Sequence, residues 1–318
     1  MYSLKKLVYD ELKKHIYYAI VEKRKNYPGV RVGLRNKKRI KKFLLIMAVA
    51  IFAFAAWVLW GNTAVEINSY TLESDKVPDS FDGYRIAQVS DFHNAQIGKD
   101  NKKLLKLLEK AEPDIIVITG DIVDWRSTDI EITRNFVGSA VKIAPCYYVT
   151  GNNEAYITET YNIKEMMKEL GVTVLEDEIK QLELNGEKIF LAGVDDPCFS
   201  ENYSSADSVP IMQKKLEKIM VDDGYTFLLS HRPELFSVYC EYGVDLVFSG
   251  HAHGGQFRIP FIGGVYAPDQ GFFPEYDAGL YTEEKTNMIV SRGIGNSIIP
   301  LRVNNRPEVI VVELKTAQ

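Results

Sequence analysis

Carboxylate, carboxamide and imidazole side chains recur in short clusters along this chain, each at the end of an apolar run. The clusters are Asp91-Phe92-His93, Gly120-Asp121, Gly151-Asn152-Asn153-Glu154, Ser230-His231, and Gly250-His251-Ala252-His253. Together they form a set of hard and borderline donors without thiolate, which suits Mn, Fe or Zn and hydrolytic chemistry. Four of the five histidines fall in these turns; His15 does not, and no role is assigned to it. Asp91/His93 and His251/His253 are i,i+2 pairs, whose members face the same way on an extended backbone and so could reach one centre. Glycines at 120, 151, 193, 250, 254 and 255 let the backbone turn tightly there. Cys146, Cys198 and Cys240 form no CxxC pair, which excludes a thiolate zinc ribbon and a disulfide-dense scaffold.

Positioning these groups requires a sheet. The runs 85–90, 114–119, 146–150, 188–192, 225–229 and 245–249 are almost wholly apolar, as strands buried on both faces are. Lysine-rich helical patterns at 101–111, 129–141, 162–170 and 209–220 separate several of them. Alternating strand and helix argues a layered α/β domain, with sites forming just beyond the strand ends. Residues 286–290 and 308–314 read as closing strands.

The ordered set D-x-H, G-D-x-x-D, G-N-x-E, H and G-H-x-H resembles the signature of the calcineurin-like metallophosphoesterases, over about residues 80–316. The stretches Leu229–Glu234, Ser249–Gln256 and Ser291–Glu308 are similar to the membrane-associated bacterial branch typified by the YkuE and YaeI proteins. The resemblance implies a four-layer α-β-β-α sandwich of two mixed sheets and a phosphoric ester hydrolase. It implies two divalent metal ions, Mn, Fe or Zn. Asp91, His93 and His253 would hold one, Asn152, His231 and His251 the second, and Asp121 would bridge them. Such a pair clamps a phosphoryl group and activates water for in-line attack on a phosphomonoester, phosphodiester or diphosphate. Asp124 would orient a ligand from behind; Arg126 is a weaker candidate for touching substrate phosphate.

The family usually carries histidine where this chain has Asn153. An amide donates a hydrogen bond but supplies no proton, and general acid catalysis is worth about 10²–10⁴ in rate. Three consequences follow from the substitution: substrates with acidic leaving groups, a proton from elsewhere, or a catalytically impaired metal-binding receptor or scaffold for a phosphorylated envelope ligand.

Charge divides the chain. Residues 1–42 carry a net +11 and residues 43–318 a net −16. Between the basic stretch and the acidic body lie the 18 uncharged residues Phe43–Trp60. As a helix this run spans about 27 Å, close to the hydrocarbon core of a bilayer. It reads as one N-terminal transmembrane helix, with Trp57 and Trp60 at its far end. Lys37, Lys38, Arg39, Lys41 and Lys42 place the N-terminus in the cytoplasm and the body outside the cell membrane. The organisation expected is a basic segment (1–42), an anchor (43–60), a linker and first strand (61–80), and a catalytic domain (81–318). Leu4, Val8, Leu12, Ile16 and Ile20 recur every four residues, a spacing shared by an amphipathic helix on the inner leaflet and a solvated basic tail. The acidic body disfavours nucleic acid. A phosphorylated small molecule or lipid is the expected substrate. Phe257, Ile259, Phe261, Ile262, Phe272 and Phe273 could line a groove, dip towards lipid, or pack the sandwich rim.

Overall fold

The computed structural model describes residues 34–158, 161–220, 224–297 and 299–317. The periodic apolar positions at Leu4 to Ile20 lie outside the described residues. The chain divides into two units, Met1–Trp57 and Val58–Gln318. Helix α1 spans Leu34–Gly61, nine residues longer at its start than the uncharged run. Over Lys38–Gly61 it is long and apolar enough to cross a membrane.

The body is built on two six-stranded sheets. Its elements, in chain order, begin with β1 (Glu66–Ser74), β2 (Arg85–Val89), α2 (Lys102–Ala111), β3 (Ile115–Thr119), α3 (Ile130–Ala140) and β4 (Cys146–Val149). There follow α4 (Asn152–Ile157), α5 (Ile163–Glu169), β5 (Thr173–Val174), β6 (Glu178–Leu184), β7 (Glu187–Gly193), α6 (Ser208–Ile219), β8 (Thr226–Leu229), α7 (Phe236–Glu241) and β9 (Leu246–Ser249). Four two-residue strands come next: β10 (Arg258–Ile259), β11 (Gly263–Gly264), β12 (Tyr266–Ala267) and β13 (Gly271–Phe272). The last strands are β14 (Gly279–Glu283), β15 (Thr286–Val290) and β16 (Glu308–Thr316).

The first sheet runs β1-β16-β2-β3-β4-β5 and the second β14-β15-β9-β8-β7-β6. Each is mixed. In the first, β16 lies parallel to β1 and antiparallel to β2. In the second, β14 and β6 are antiparallel edges on a parallel centre. The strand alternation assigns the layers. Ile116 and Ile118 join a core with α2, α3 and α5, while Ile115 and Val117 join a core with Phe227, Phe248 and Ile289 of the other sheet. A third core packs Leu228, Val247 and Val290 against α6 and α7. Both faces of each central strand are therefore covered, which is why those runs lack polar alternation. The result is the expected α-β-β-α sandwich.

Two segments fill in the organisation of the body. Within residues 61–80, β1 pairs with β16 over nine residues, and Phe81, just beyond them, is buried. The segment after the HxH turn forms two small hairpins, β10–β11 and β12–β13, that leave Phe261 and Phe272 exposed.

Candidate metal centre

All the clustered side chains follow parallel strands: Asp91 and His93 after β2, Asp121 after β3, Asn152 after β4, His231 after β8, and His251 and His253 after β9. Sheet pairing thus gathers them at one end of the sandwich. Gln88 ties the two sheets beneath them, donating from Nε2 to Thr119 Oγ1 at 2.8 Å and to the Ser249 carbonyl at 2.9 Å.

The i,i+2 pairs converge by a route other than extended backbone. Asp91 (φ 49°), His93 (45°), Asp121 (51°), His251 (64°) and His253 (48°) all occupy the left-handed region. For a residue with a Cβ this costs about 1–2 kcal/mol, and it persists where surrounding contacts over-determine it. Those contacts are visible. The intervening residue of each pair is a core plug: Phe92 stacks on Phe136 with ring centroids 4.5 Å apart, and Ala252 is fully buried in the outer core of the second sheet. The Asp91 N–H donates to the Gly120 carbonyl (3.1 Å), and the His93 N–H to the Asp121 carbonyl (3.0 Å). The Gly295 N–H donates to the Asp91 carbonyl at 2.7 Å, so the Gly293–Gly295 turn buttresses this loop. Gly120 admits no side chain, since a Cβ there would lie 2.7 Å from His231 Nδ1.

Two groups of donor atoms result. Ligand atoms of Asp91, His93, Asp121 and His253 lie within 4.8 Å of one another, as do those of Asp121, His231 and His251. All are buried, and Asp121 is common to both. Asp121 Oδ2 is 3.5 Å from Nε2 of both His93 and His231. The Nε2 atoms of His93 and His253 face each other at 3.2 Å. His231 donates from Nδ1 to the Thr119 carbonyl (2.8 Å), leaving its buried Nε2 without a hydrogen-bond partner. The Asn152 Oδ1 is likewise buried and unpartnered. Buried polar atoms are costly when unpaired. Converging lone pairs of this kind fit divalent cations of the Mn, Fe or Zn class.

Electrostatics point the same way. Burial pushes the Asp121 carboxyl up, but the facing His231 and His93 outweigh it and hold it well below the carboxylate range. Burial pulls His231 down, and Asp121 more than reverses this, raising it to about 10. His253 is held well below the usual imidazole value by burial, with His93 and Arg302 adding to it. It is therefore a neutral imidazole with a lone pair to offer.

Asn153 is buried and bound to Asp121 twice, through its backbone N–H (2.8 Å) and its Nδ2 (2.6 Å). Its Oδ1 accepts from the Trp125 N–H at 3.2 Å. Glu154 is buried below and accepts from the backbone N–H groups of Gly151, Asp121 and Val123. Burial, then Asp121, pushes its carboxyl up to about 7. The Asp124 carboxylate accepts from Arg126 Nε (3.1 Å) and Nη2 (2.9 Å). Among the described residues no hydrogen bond joins Asp124 to the clustered donors, because Arg126 is two residues away and pairs with it locally.

Four supporting residues escaped the sequence reading. Asp269 accepts from His251 Nε2 at 2.9 Å. Arg232 is buried, donates to both oxygens of Asp196 (2.6 and 2.9 Å), and bonds to Asp269. Arg302 is buried on the opposite side, donating to the Arg292 carbonyl (2.6 Å) and the Gly295 carbonyl, with Nη2 3.5 Å from His253 Nδ1. Asp196 and Arg232 stand in strand-end turns, where the signal existed. Asp269 and Arg302 stand in irregular segments that carried none.

Comparison with known proteins agrees with this geometry. The family model described as calcineurin-like phosphoesterase matches residues 84–255. The chain is 32% identical over 261 residues to the uncharacterized metallophosphoesterase YkuE of Bacillus subtilis, covering 79% of this chain and 86% of that protein. It is 28% identical to the phosphodiesterase YaeI of Escherichia coli, covering 64% of this chain and 71% of that one. It is also 28% identical to a transmembrane protein with metallophosphoesterase domain from Bos taurus, covering 91% of this chain and 66% of that one. A match over more than half of the chain, on the fold and donor set described, means that it belongs to the calcineurin-like phosphoesterase family and is a metal-dependent phosphoesterase.

Proposed function

We propose that this protein is a membrane-anchored, binuclear phosphoesterase acting on the outer face of a cell membrane. Asp91, His93 and His253 hold one cation, Asn152, His231 and His251 the other, and Asp121 bridges. The observation that carries the reading is the pair of buried donor groups sharing Asp121. Divalent ions held there supply Lewis acidity, polarising a phosphoryl oxygen and making water a nucleophile near neutral pH.

The remaining work falls to the chain. Asn153 clamps Asp121 through two hydrogen bonds and so fixes the bridging carboxylate. It offers no proton to a departing oxygen, and Asp124 is already neutralised by Arg126. Bonds whose leaving oxygen is itself acidic, such as diphosphates or aryl esters, therefore suit this site. Asp269 holds His251 Nε2 and leaves Nδ1 as the free ring nitrogen. The anchor is the apolar part of α1, and the lysine and arginine residues in its first turns support a cytoplasmic N-terminus.

Metal-loaded protein should hydrolyse bis-nitrophenyl phosphate, and Asp121→Asn should lower kcat/KM at least about 10³-fold by weakening both halves at once. Turnover unaffected by that substitution would sink the reading. It would favour the alternative of a metal-binding receptor or scaffold, for which the loss of the family histidine at Asn153 is the supporting feature.

A further inference from the structure

A cavity of about 350 Å³ opens beside His93. Leu59, Ala95, Ile97, Ile294, Pro300 and Leu301 supply its apolar wall, the neutral side chains of Asn62, Thr63, Gln96 and Asn296 complete the lining, and among the described residues no carboxylate or ammonium group lines it. One end is a metal-centre histidine. The other includes Leu59, which also belongs to the apolar segment Lys38–Gly61. Hydrogen bonds connect these ends through the wall itself. The Arg302 N–H donates to Asn62 Oδ1 (2.8 Å), Asn62 Nδ2 donates to the Arg302 carbonyl (2.8 Å), and the Arg302 guanidinium reaches His253. Gln256, three residues after His253, donates to the carbonyls of Ile299 and Leu301 and fixes the rim. Leu59 and Asn62 are thus built into the same edge of the body as the clustered donors.

We infer that the cavity holds the hydrocarbon chain of a lipid phosphoester whose phosphorus sits at the metal centre. An uncharged slot running from a phosphoester site to an apolar helix end matches a molecule with an anionic head and an alkyl tail. This rests on the reading of the protein as a membrane-anchored phosphoesterase, and it names that enzyme's substrate class. The tail stays on phosphorus. Water adds to phosphorus, the bond from phosphorus to the more acidic oxygen breaks, and that oxygen leaves as an anion. The added water gives one proton to solvent, and the product is the alkyl phosphate. An alkoxide tail would be the poorer leaving group at a site where Asn153 supplies no proton.

The test uses the full-length, metal-loaded protein in nanodiscs with methyl, butyl and octyl p-nitrophenyl phosphate. Release of nitrophenolate should rise in kcat/KM by at least about tenfold from methyl to octyl, since each buried methylene is worth up to about fourfold. Leu301 is partly exposed, so Leu301→Asp should fold; it should flatten the series relative to its own methyl-ester rate, and Leu301→Met should restore it. A flat series in a protein that cleaves the methyl ester overturns the tail site and leaves the phosphoesterase standing. Failure to cleave any ester overturns the phosphoesterase reading instead. Independently of turnover, an octyl phosphate with a photoreactive tail should label residues 59–63, 95–97, 294–296 or 300–301. Labelling confined to 257–273 or elsewhere overturns the cavity as its site.

Discussion

The two halves of the metal centre each pair two histidines with Asp121 but rest on different supports. On the β8–β9 side, His251 is held by Asp269, and Arg232 is locked between Asp269 and Asp196. The brace on His251 is made of full charges, whereas His231 rests on the Thr119 carbonyl. On the β2 side, Asp91 accepts from the Ser90 hydroxyl and the His251 N–H, while Arg302 and Asn305 donate to backbone carbonyls. Burial lowers Arg302 to about 10, and no carboxylate pairs with it among the described residues. A histidine backed by a carboxylate is a more basic ligand than one backed by neutral groups. The contrast sets a donor group braced by charges beside one braced by neutral groups, and the second borders the cavity.

Breaking one brace on each side tests this contrast. The largest effect belongs to Arg232→Met, which strands Asp196 in the interior and should cost about 3–5 kcal/mol in a denaturant titration. Arg302→Met leaves neutral acceptors unpaired, carbonyl oxygens and His253 Nδ1, and should cost about 1–3 kcal/mol by the same measurement. Equal losses for the two would erase the distinction. Asp269→Asn should weaken one of the two bound metals about 10–100-fold and spare the other, read as stoichiometry falling from two towards one on dialysis. Loss of both metals together would show that the halves act as a unit. Asn153→His should speed cleavage of alkyl phosphoesters about tenfold, a small part of the ~10²–10⁴ available to general acid catalysis. Nitrophenyl esters should gain little, and equal gains on both would discard the argument from leaving-group acidity.

Much of this was legible in the chain itself because the donors follow apolar runs buried on both faces. Ile115–Thr119 announces its strand without ambiguity, and Asp121 follows it. The residue types at 91, 93, 121, 231, 251 and 253 then suffice to propose a metal centre. The route by which they converge was not legible. An i,i+2 pair suggests extended backbone, whereas both pairs sit in left-handed turns held by Phe92 and Ala252 in the outer cores. Long-range braces were also hidden. Asp269 meets His251 across 18 residues and Arg302 meets His253 across 49, through loops whose course depends on tertiary packing. Asp124 carries a partner of the opposite kind, since Arg126 is a near neighbour that no motif spacing reveals.

The position of β16 sets an order of assembly. It lies between β1 and β2, so the first sheet has a gap until this late strand arrives. Asn68 and Glu308, which are hydrogen-bonded, stand 240 residues apart. Chains emerge N-terminus first, and distant pairings form late because loop closure precedes their reward. The turn that braces Asp91 and the arginine that reaches His253 come from the same late stretch, residues 293–302. During synthesis, then, the donors after β2 and β9 wait without their braces until nearly the whole body has been made, and a chain interrupted before residue 308 should bind metal poorly however much of its second sheet has formed.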